Sequence, residues 1–163
     1  LQKDVAIAPD DTLGSLYFNH LFPMGVASMC EAVDLVREGT APCIEQDPSG
    51  GTYEGWCRAE DVKIDWHQPV DSVYNMIRGA NPQPGAWTTL SGQKLTVLDS
   101  TRAEVIEATP GTVTSIDETG MTIAGDGGSI LISRVKTESG AKLSAADFPG
   151  QLTVSVGDVL GAS

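Results

Sequence analysis

Only a few side chains of this sequence could carry chemistry, and they stand apart from one another. His20 and His67 could move protons, but a histidine needs an oriented partner to act as an acid or base. Both are therefore expected to be structural or surface residues. Arg78 ends a predicted helix, where the carbonyl ends favour a cation. It is expected to cap that helix or join an interdomain salt bridge, with a substrate-facing role as the alternative.

The remaining candidates are three cysteines and one loop aspartate. Cys30, Cys43 and Cys57 are spaced too widely for a Cys-x-x-Cys zinc site, and their odd number indicates reduced thiols. Asp126 lies among glycines, but calcium needs several oxygen ligands, so a turn is expected there. No metal site and no catalytic residue is predicted for the chain.

The N-terminal third predicts a strand followed by a helix. Leu1–Ala8 alternates apolar and polar residues in the manner of a short strand. Asp11 or Thr12 is a suitable N-cap, and apolar residues then recur at helical spacing, with Pro23 kinking or restarting the helix. Gly39 is the expected C-cap.

Residues 40–58 are rich in proline and glycine and show no sustained period, which is typical of a linker. The predicted organisation is a remnant of one domain over residues 1–46, a linker over 47–60 and a second domain over 61–163.

The second domain is predicted to be mostly β. A helix over Pro69–Ile77 precedes a hairpin around Ser91–Gln93 and another around Asp117–Gly120. A third turn lies at Gly125–Gly128. Five or six short strands with glycine-rich turns predict a small closed barrel, in which Trp87 is expected to be a core residue.

Charge and hydropathy restrict the function classes. The net charge is −12 and there is no lysine or arginine cluster along the sequence, which argues against nucleic-acid binding. No apolar run is long enough for a membrane helix and no signal segment is seen, so a cytoplasmic location is expected. Because the sequence starts at Leu1, we expect a truncated polypeptide.

Several short motifs are spread over nearly the whole chain. They are Pro9-Asp10-Asp11-Thr12, Gly39-Thr40-Ala41-Pro42, Thr52-Tyr53-Glu54-Gly55, Ile64-Asp65-Trp66, Ile77-Arg78, Pro84-Gly85-Ala86-Trp87, Gly125-Asp126-Gly127 and Ser144-Ala145-Ala146-Asp147. Together these motifs resemble the C-terminal portion of the formyltransferase family. Within the family they resemble the hydrolase domain of 10-formyltetrahydrofolate dehydrogenases first and methionyl-tRNA formyltransferases next, the latter because Asn81–Pro82 is kept.

The resemblance implies an α+β chain, with an OB-like small β-barrel preceded by a strand–helix remnant of a Rossmann-like catalytic domain. It also implies formyl transfer from, or hydrolysis of, 10-formyltetrahydrofolate by the intact parent. The family's catalytic Asn, His and Asp precede the matched segment, so Asn19–His20 is not that pair. This chain is then expected to bind no cofactor itself, while Arg78 and Asn81 face substrate or the interdomain boundary.

The predicted function is therefore the C-terminal portion of a folate-dependent formyltransferase or hydrolase, inactive alone, which supports a catalytic domain and its substrate entrance. The expected partner is that N-terminal catalytic domain, and residues 1–46 could also self-associate through their apolar stripe. The formyl acceptor stays open between water, tRNA and an amino-sugar. The alternative is a stand-alone OB-like module that binds a protein or small ligand.

Overall fold

The computed structural model describes residues 1–162, which fall into two compact units, one from Leu1 to Trp56 and one from Cys57 onward. The first unit is a single helical run. It starts as α1 (Leu13–Leu16), widens into a π-helical segment over Tyr17–Leu21 and continues as α2 (Phe22–Glu38). The irregular turn lies just before Pro23, as the missing proline N–H requires.

The ends of this helical run are capped as the sequence predicts. The Thr12 hydroxyl accepts a hydrogen bond from the Ser15 amide at 3.0 Å. Gly39 adopts a left-handed conformation with φ of 70°, and its amide donates to the Val36 carbonyl at 3.2 Å. The predicted strand over Leu1–Ala8 is wrong, since these residues form no strand. A strand needs a neighbour for its backbone groups, and the described residues offer this segment none.

The second unit combines one amphipathic helix with a six-stranded antiparallel sheet. Helix α3 spans Val70–Ala80. The strands are β1 (Trp87–Leu90), β2 (Gln93–Ala103), β3 (Val113–Asp117), β4 (Gly120–Gly125), β5 (Gly128–Thr137) and β6 (Lys142–Ser144). Short 3-10 turns of this unit lie at Ala59–Val62 and Ala145–Asp147, and α4 (Phe148–Gln151) follows the second of them. A further 3-10 turn, Pro48–Gly50, belongs to the first unit.

The sheet is open, so the predicted closed barrel is not confirmed. Its strand order is β1-β2-β5-β4-β3, with β6 on the free side of β5, which leaves β1 and β3 at opposite ends. The C-terminal segment makes backbone hydrogen bonds with both ends of the sheet. At the β3 end, Leu160 donates to the Gly111 carbonyl and Gly157 to the Val113 carbonyl, while Val113 donates to the Asp158 carbonyl, each at 2.8 Å. At the β1 end, Gly161 donates to the Thr89 carbonyl at 2.9 Å. The C-terminal segment thereby forms an isolated bridge, between Thr112 and Val159, and is not a further strand of the sheet.

The core lies between α3 and the inner face of the sheet. Val73, Tyr74 and Ile77 recur on one helical face and are all buried. They pack in one cluster with buried sheet residues and with Phe148 of α4, which has no exposed surface. The predicted hairpins are confirmed at Ser91–Gly92 and at Glu118–Thr119.

Candidate functional site

The two residues singled out from the sequence, Arg78 and Asn81, lie together at the C-terminal end of α3. Arg78 is half-buried, and its Nε donates to Asn75 Oδ1 at 2.8 Å one turn earlier. Its cationic side chain therefore sits where the helix carbonyls end and negative partial charge accumulates.

Asn81 fixes the turn that leads from α3 into the sheet. Its Nδ2 donates to the backbone carbonyl of Leu98 on β2 at 2.7 Å. Gly85 closes the turn by donating its amide to the Ala80 carbonyl at 2.9 Å. Gly85 has φ of +83°, and a Cβ there would lie 2.8 Å from the Thr96 methyl group. Only glycine lets this turn lie so close to β2.

The side-chain amide of Asn81 is thus committed to a backbone contact, which gives it a structural role. A substrate-facing or interdomain role for Arg78 and Asn81 stays a prediction.

We expect Asn81→Asp to lower the free energy of unfolding of this domain by about 2 kcal/mol, because a carboxylate cannot donate to the Leu98 carbonyl and would leave it unpaired. Gln83→Glu is the matched control, since it makes the same amide-to-acid change at an exposed position of the same turn. Urea unfolding monitored by far-UV circular dichroism measures both. Equal stabilities of the two variants would contradict the anchoring role.

Trp87, at the end of this turn, carries the most distinctive surface chemistry of the domain. It is half-buried, and its Nε1 donates to the Ala59 carbonyl at 2.6 Å. The ammonium groups of Lys94 and Lys63 lie 4.4 and 5.5 Å from its ring centroid. The sequence predicts Trp87 as a core residue; it packs against the core but is only partly buried, whereas Trp66 is fully buried at 2% exposed.

The two histidines, His20 and His67, lie in exposed positions. His20 is exposed within the π-helical segment beside Asn19. His67 is exposed, and its ring Nδ1 lies 3.3 Å from Asp65 Oδ1. The Gln68 side chain and the His67 backbone amide donate to Asp65 and hold its pKa below the usual value. A lowered pKa means that this carboxylate stabilises the fold above its unfolded-state pKa and that the contribution is lost as the pH falls.

Asp126 is a turn residue, as predicted, between β4 and β5. Its backbone carbonyl accepts a hydrogen bond from the Val70 amide at 2.8 Å, which satisfies one free donor at the start of α3. Cys30, Cys43 and Cys57 are all free and exposed. Within residues 1–162 no group of three potential metal ligands comes together, and no helix there is long and apolar enough to cross a membrane.

A groove of about 240 Å³ lies beside the buried Trp66. It is lined by residues 64–67, 109–110 and 159–162, so the C-terminal segment forms one wall. The Trp66 Nε1 donates to Thr88 Oγ1 at 3.1 Å, which leaves this indole no free donor for a ligand.

Comparison with known proteins identifies the family to which the second unit is similar. The model of the formyl transferase C-terminal domain matches residues 57–151, more than half of the chain. The chain belongs to this family. Among curated relatives, cytosolic 10-formyltetrahydrofolate dehydrogenase of Mus musculus is 38% identical over 161 residues, covering 91% of this chain and 18% of that protein. Methionyl-tRNA formyltransferase of Bacillus velezensis is 36% identical over 160 residues, covering 97% of this chain and 50% of that protein.

The fold of this formyltransferase C-terminal region also matches solved structures. HypX from Aquifex aeolicus in complex with tetrahydrofolic acid superposes with a TM-score of 0.71 at 20% identity, over 93% of this chain and 27% of that one. This likeness shows the fold alone. The chain spans about half the length of the methionyl-tRNA formyltransferase and less than a fifth of the dehydrogenase.

Proposed function

We propose that this chain is the C-terminal, supporting part of a folate-dependent formyltransferase or 10-formyltetrahydrofolate hydrolase, and that it is inactive alone. The match to the formyl transferase C-terminal domain carries the proposal. Relatives named for 10-formyltetrahydrofolate and for methionyl-tRNA support a one-carbon donor of the folate type for the intact protein. The dehydrogenase relatives favour the hydrolase branch, and the cytosolic ones favour a cytoplasmic location.

Formyl transfer needs a group that polarises the formyl carbonyl and a group that accepts a proton. Neither histidine of this chain is assigned that work in our proposal: His20 is exposed in the π-helical segment, and His67 and Asp65 are both exposed. In our proposal the catalytic groups and the folate pocket belong to a preceding catalytic domain. Arg78 and Asn81 would then hold the α3–β1 turn toward that domain or the substrate entrance.

The first unit supplies a surface for such a partner. Apolar side chains that recur at helical spacing along α2 are largely exposed, including Phe22, Met29, Val33 and Val36. Met29 is 68% and Val36 70% exposed. An apolar stripe of this length on a helix is normally covered. We assign the preceding catalytic domain as its cover, and self-association through the same stripe as the outcome when that domain is absent.

A chimera tests this proposal most directly. We expect this chain, joined to the N-terminal half of the Bacillus velezensis methionyl-tRNA formyltransferase in place of its own C-terminal half, to yield a folded protein that consumes 10-formyltetrahydrofolate, with water and added methionyl-tRNA both available as formyl acceptors. This chain alone should show no consumption above the buffer rate. The intact Bacillus velezensis enzyme is the positive control.

The chimera also offers a matched pair of variants. Met29→Lys and Val33→Lys together should abolish its activity, because two charges on the apolar stripe would prevent the halves from packing. Ala27→Lys with Glu38→Gln, on the polar side of the same helix, changes the charge equally at exposed positions and should retain most of it. Turnover by this chain alone, or a folded but inactive chimera, would contradict the proposal.

A further inference from the structure

Four lysines from four different segments of the domain lie on one face of the sheet. Strand register places Trp87 opposite Thr96, Thr96 opposite Lys136, and Lys136 opposite Lys142. Directly opposed residues of antiparallel strands share a face. Lys63 and Lys94 join this face through their contacts with the Trp87 ring. We call Lys63, Lys94, Lys136 and Lys142, with Trp87, the lysine row.

The lysine row is not neutralised by the domain itself. Within residues 1–162, none of its four ammonium groups forms an ion pair with a carboxylate. Three arginines of the same domain each have such a partner: Arg58 with Glu60, Arg102 with Asp71 and Arg134 with Asp99. Residues 57–163 carry 13 acidic and 8 basic residues. An acidic domain thus has half of its cations on one face and, among the described residues, outside ion-pair distance of its carboxylates.

The dimensions of the lysine row suit a short extended chain. Neighbouring strands lie about 4.8 Å apart, so the path from Trp87 across three strand spacings to Lys142 is roughly 15 Å long. An extended peptide of about five residues covers this distance. Its alternate side chains would present carboxylates at intervals that flexible lysine stems can follow.

We propose that the lysine row is a docking site for a short acidic peptide segment of a partner protein, a run of aspartates or glutamates laid across β1, β2, β5 and β6. Charge complementarity carries the assignment, since an anionic segment of similar length matches four cations that form no ion pair with the described residues. This interaction is separate from the proposed folate function.

Two features favour an acidic peptide over a nucleic acid. The Trp87 indole already holds two ammonium groups and donates its N–H to Ala59, so it offers no free platform for base stacking. The surrounding domain has an excess of acidic residues and would repel a polyanion that extends beyond the row. A segment of five or six residues avoids that repulsion.

Fluorescence polarisation with the full chain and a labelled α-linked hexaglutamate tests the proposal. We expect saturable binding at low ionic strength that weakens markedly between 20 and 200 mM salt, on the order of tenfold. Lys136→Gln with Lys142→Gln should weaken binding about tenfold. Arg37→Gln with Arg58→Gln changes the net charge equally at exposed positions outside the row and should leave binding within about twofold.

Two further probes separate the possible occupants. A γ-linked hexaglutamate, which resembles the tail of an extended folate, and a hexauridylate carry similar charge. Either one binding more than about tenfold tighter than the α-linked peptide would overturn the proposal, as would no binding or equal loss in both double variants. Circular dichroism of each variant confirms that it is folded. Because these probes contain no pteridine, their outcome is independent of the chimera experiment.

Discussion

Replacing Trp66 with alanine is expected to destabilise the C-terminal domain by about 3–5 kcal/mol, the range for removing a large buried aromatic side chain. Trp66 is 2% exposed and joins three segments of the domain. Its indole N–H donates to Thr88, whose side chain is fully buried, so the substitution also leaves a buried hydroxyl without its donor. Gly161 packs against the ring and Gly111 against the Trp66 Cβ methylene, since a Cβ added at each would lie 3.2 Å from Trp66 Cδ1 and 3.5 Å from Trp66 Cβ, respectively.

Trp56→Ala provides the matched control for this prediction. Trp56 is 92% exposed, so the same substitution removes little packing and should change the stability of the domain by less than about 0.5 kcal/mol. Urea unfolding of the full chain, followed by far-UV circular dichroism, avoids dependence on tryptophan fluorescence. A Trp66→Ala domain as stable as the Trp56→Ala domain would show that the C-terminal segment is not held by this ring.

The contrast between Trp66 and Trp87 shows where sequence reasoning reaches its limit. Trp66 lies in a turn and Trp87 begins β1, and aromatic bulk alone predicts burial for either. Which of the two side chains is buried depends on the segments that pack against it. The C-terminal segment at Gly161 packs against the Trp66 ring. The lysine row could not be predicted from the sequence for the same reason, since only the strand register places Lys94 and Lys136 on one face of the sheet.

Turns and helix ends were predicted correctly where a single residue determines the backbone conformation. Ser91–Gly92 forms the first hairpin turn with positive φ at both positions, 50° and 77°, as a two-residue turn requires. The helix caps at Thr12 and Gly39 were readable for the same reason. The strand predicted over Leu1–Ala8 was wrong because alternating apolar and polar residues only favour an extended backbone, whereas a strand also needs a neighbouring strand to pair with. The predicted closed barrel is not confirmed, because the number of strands alone does not determine whether the first and last strands of the sheet pair with each other.

The β3–β4 hairpin yields the second large prediction. Gly120 opens β4 with φ of +153°, and a Cβ there would collide with the Ile132 carbonyl oxygen on β5 and lie 2.9 Å from its carbonyl carbon. Backbone atoms in the middle of a sheet cannot move aside as a flexible side chain can. We therefore expect Gly120→Ala to destabilise the domain by about 3 kcal/mol or more, with lower yield of folded protein.

Gly140→Ala separates the two costs that Gly120→Ala combines. Gly140 also has positive φ, +88°, but nothing lies within 4 Å of its Cβ position, so only the backbone preference is lost, about 1–2 kcal/mol. Thermal and urea unfolding of both variants give the difference, which reports the collision with β5. If the two variants were equally stable, β4 and β5 could separate at this point without cost, and the close approach of Gly120 to Ile132 would not be a determinant of the fold.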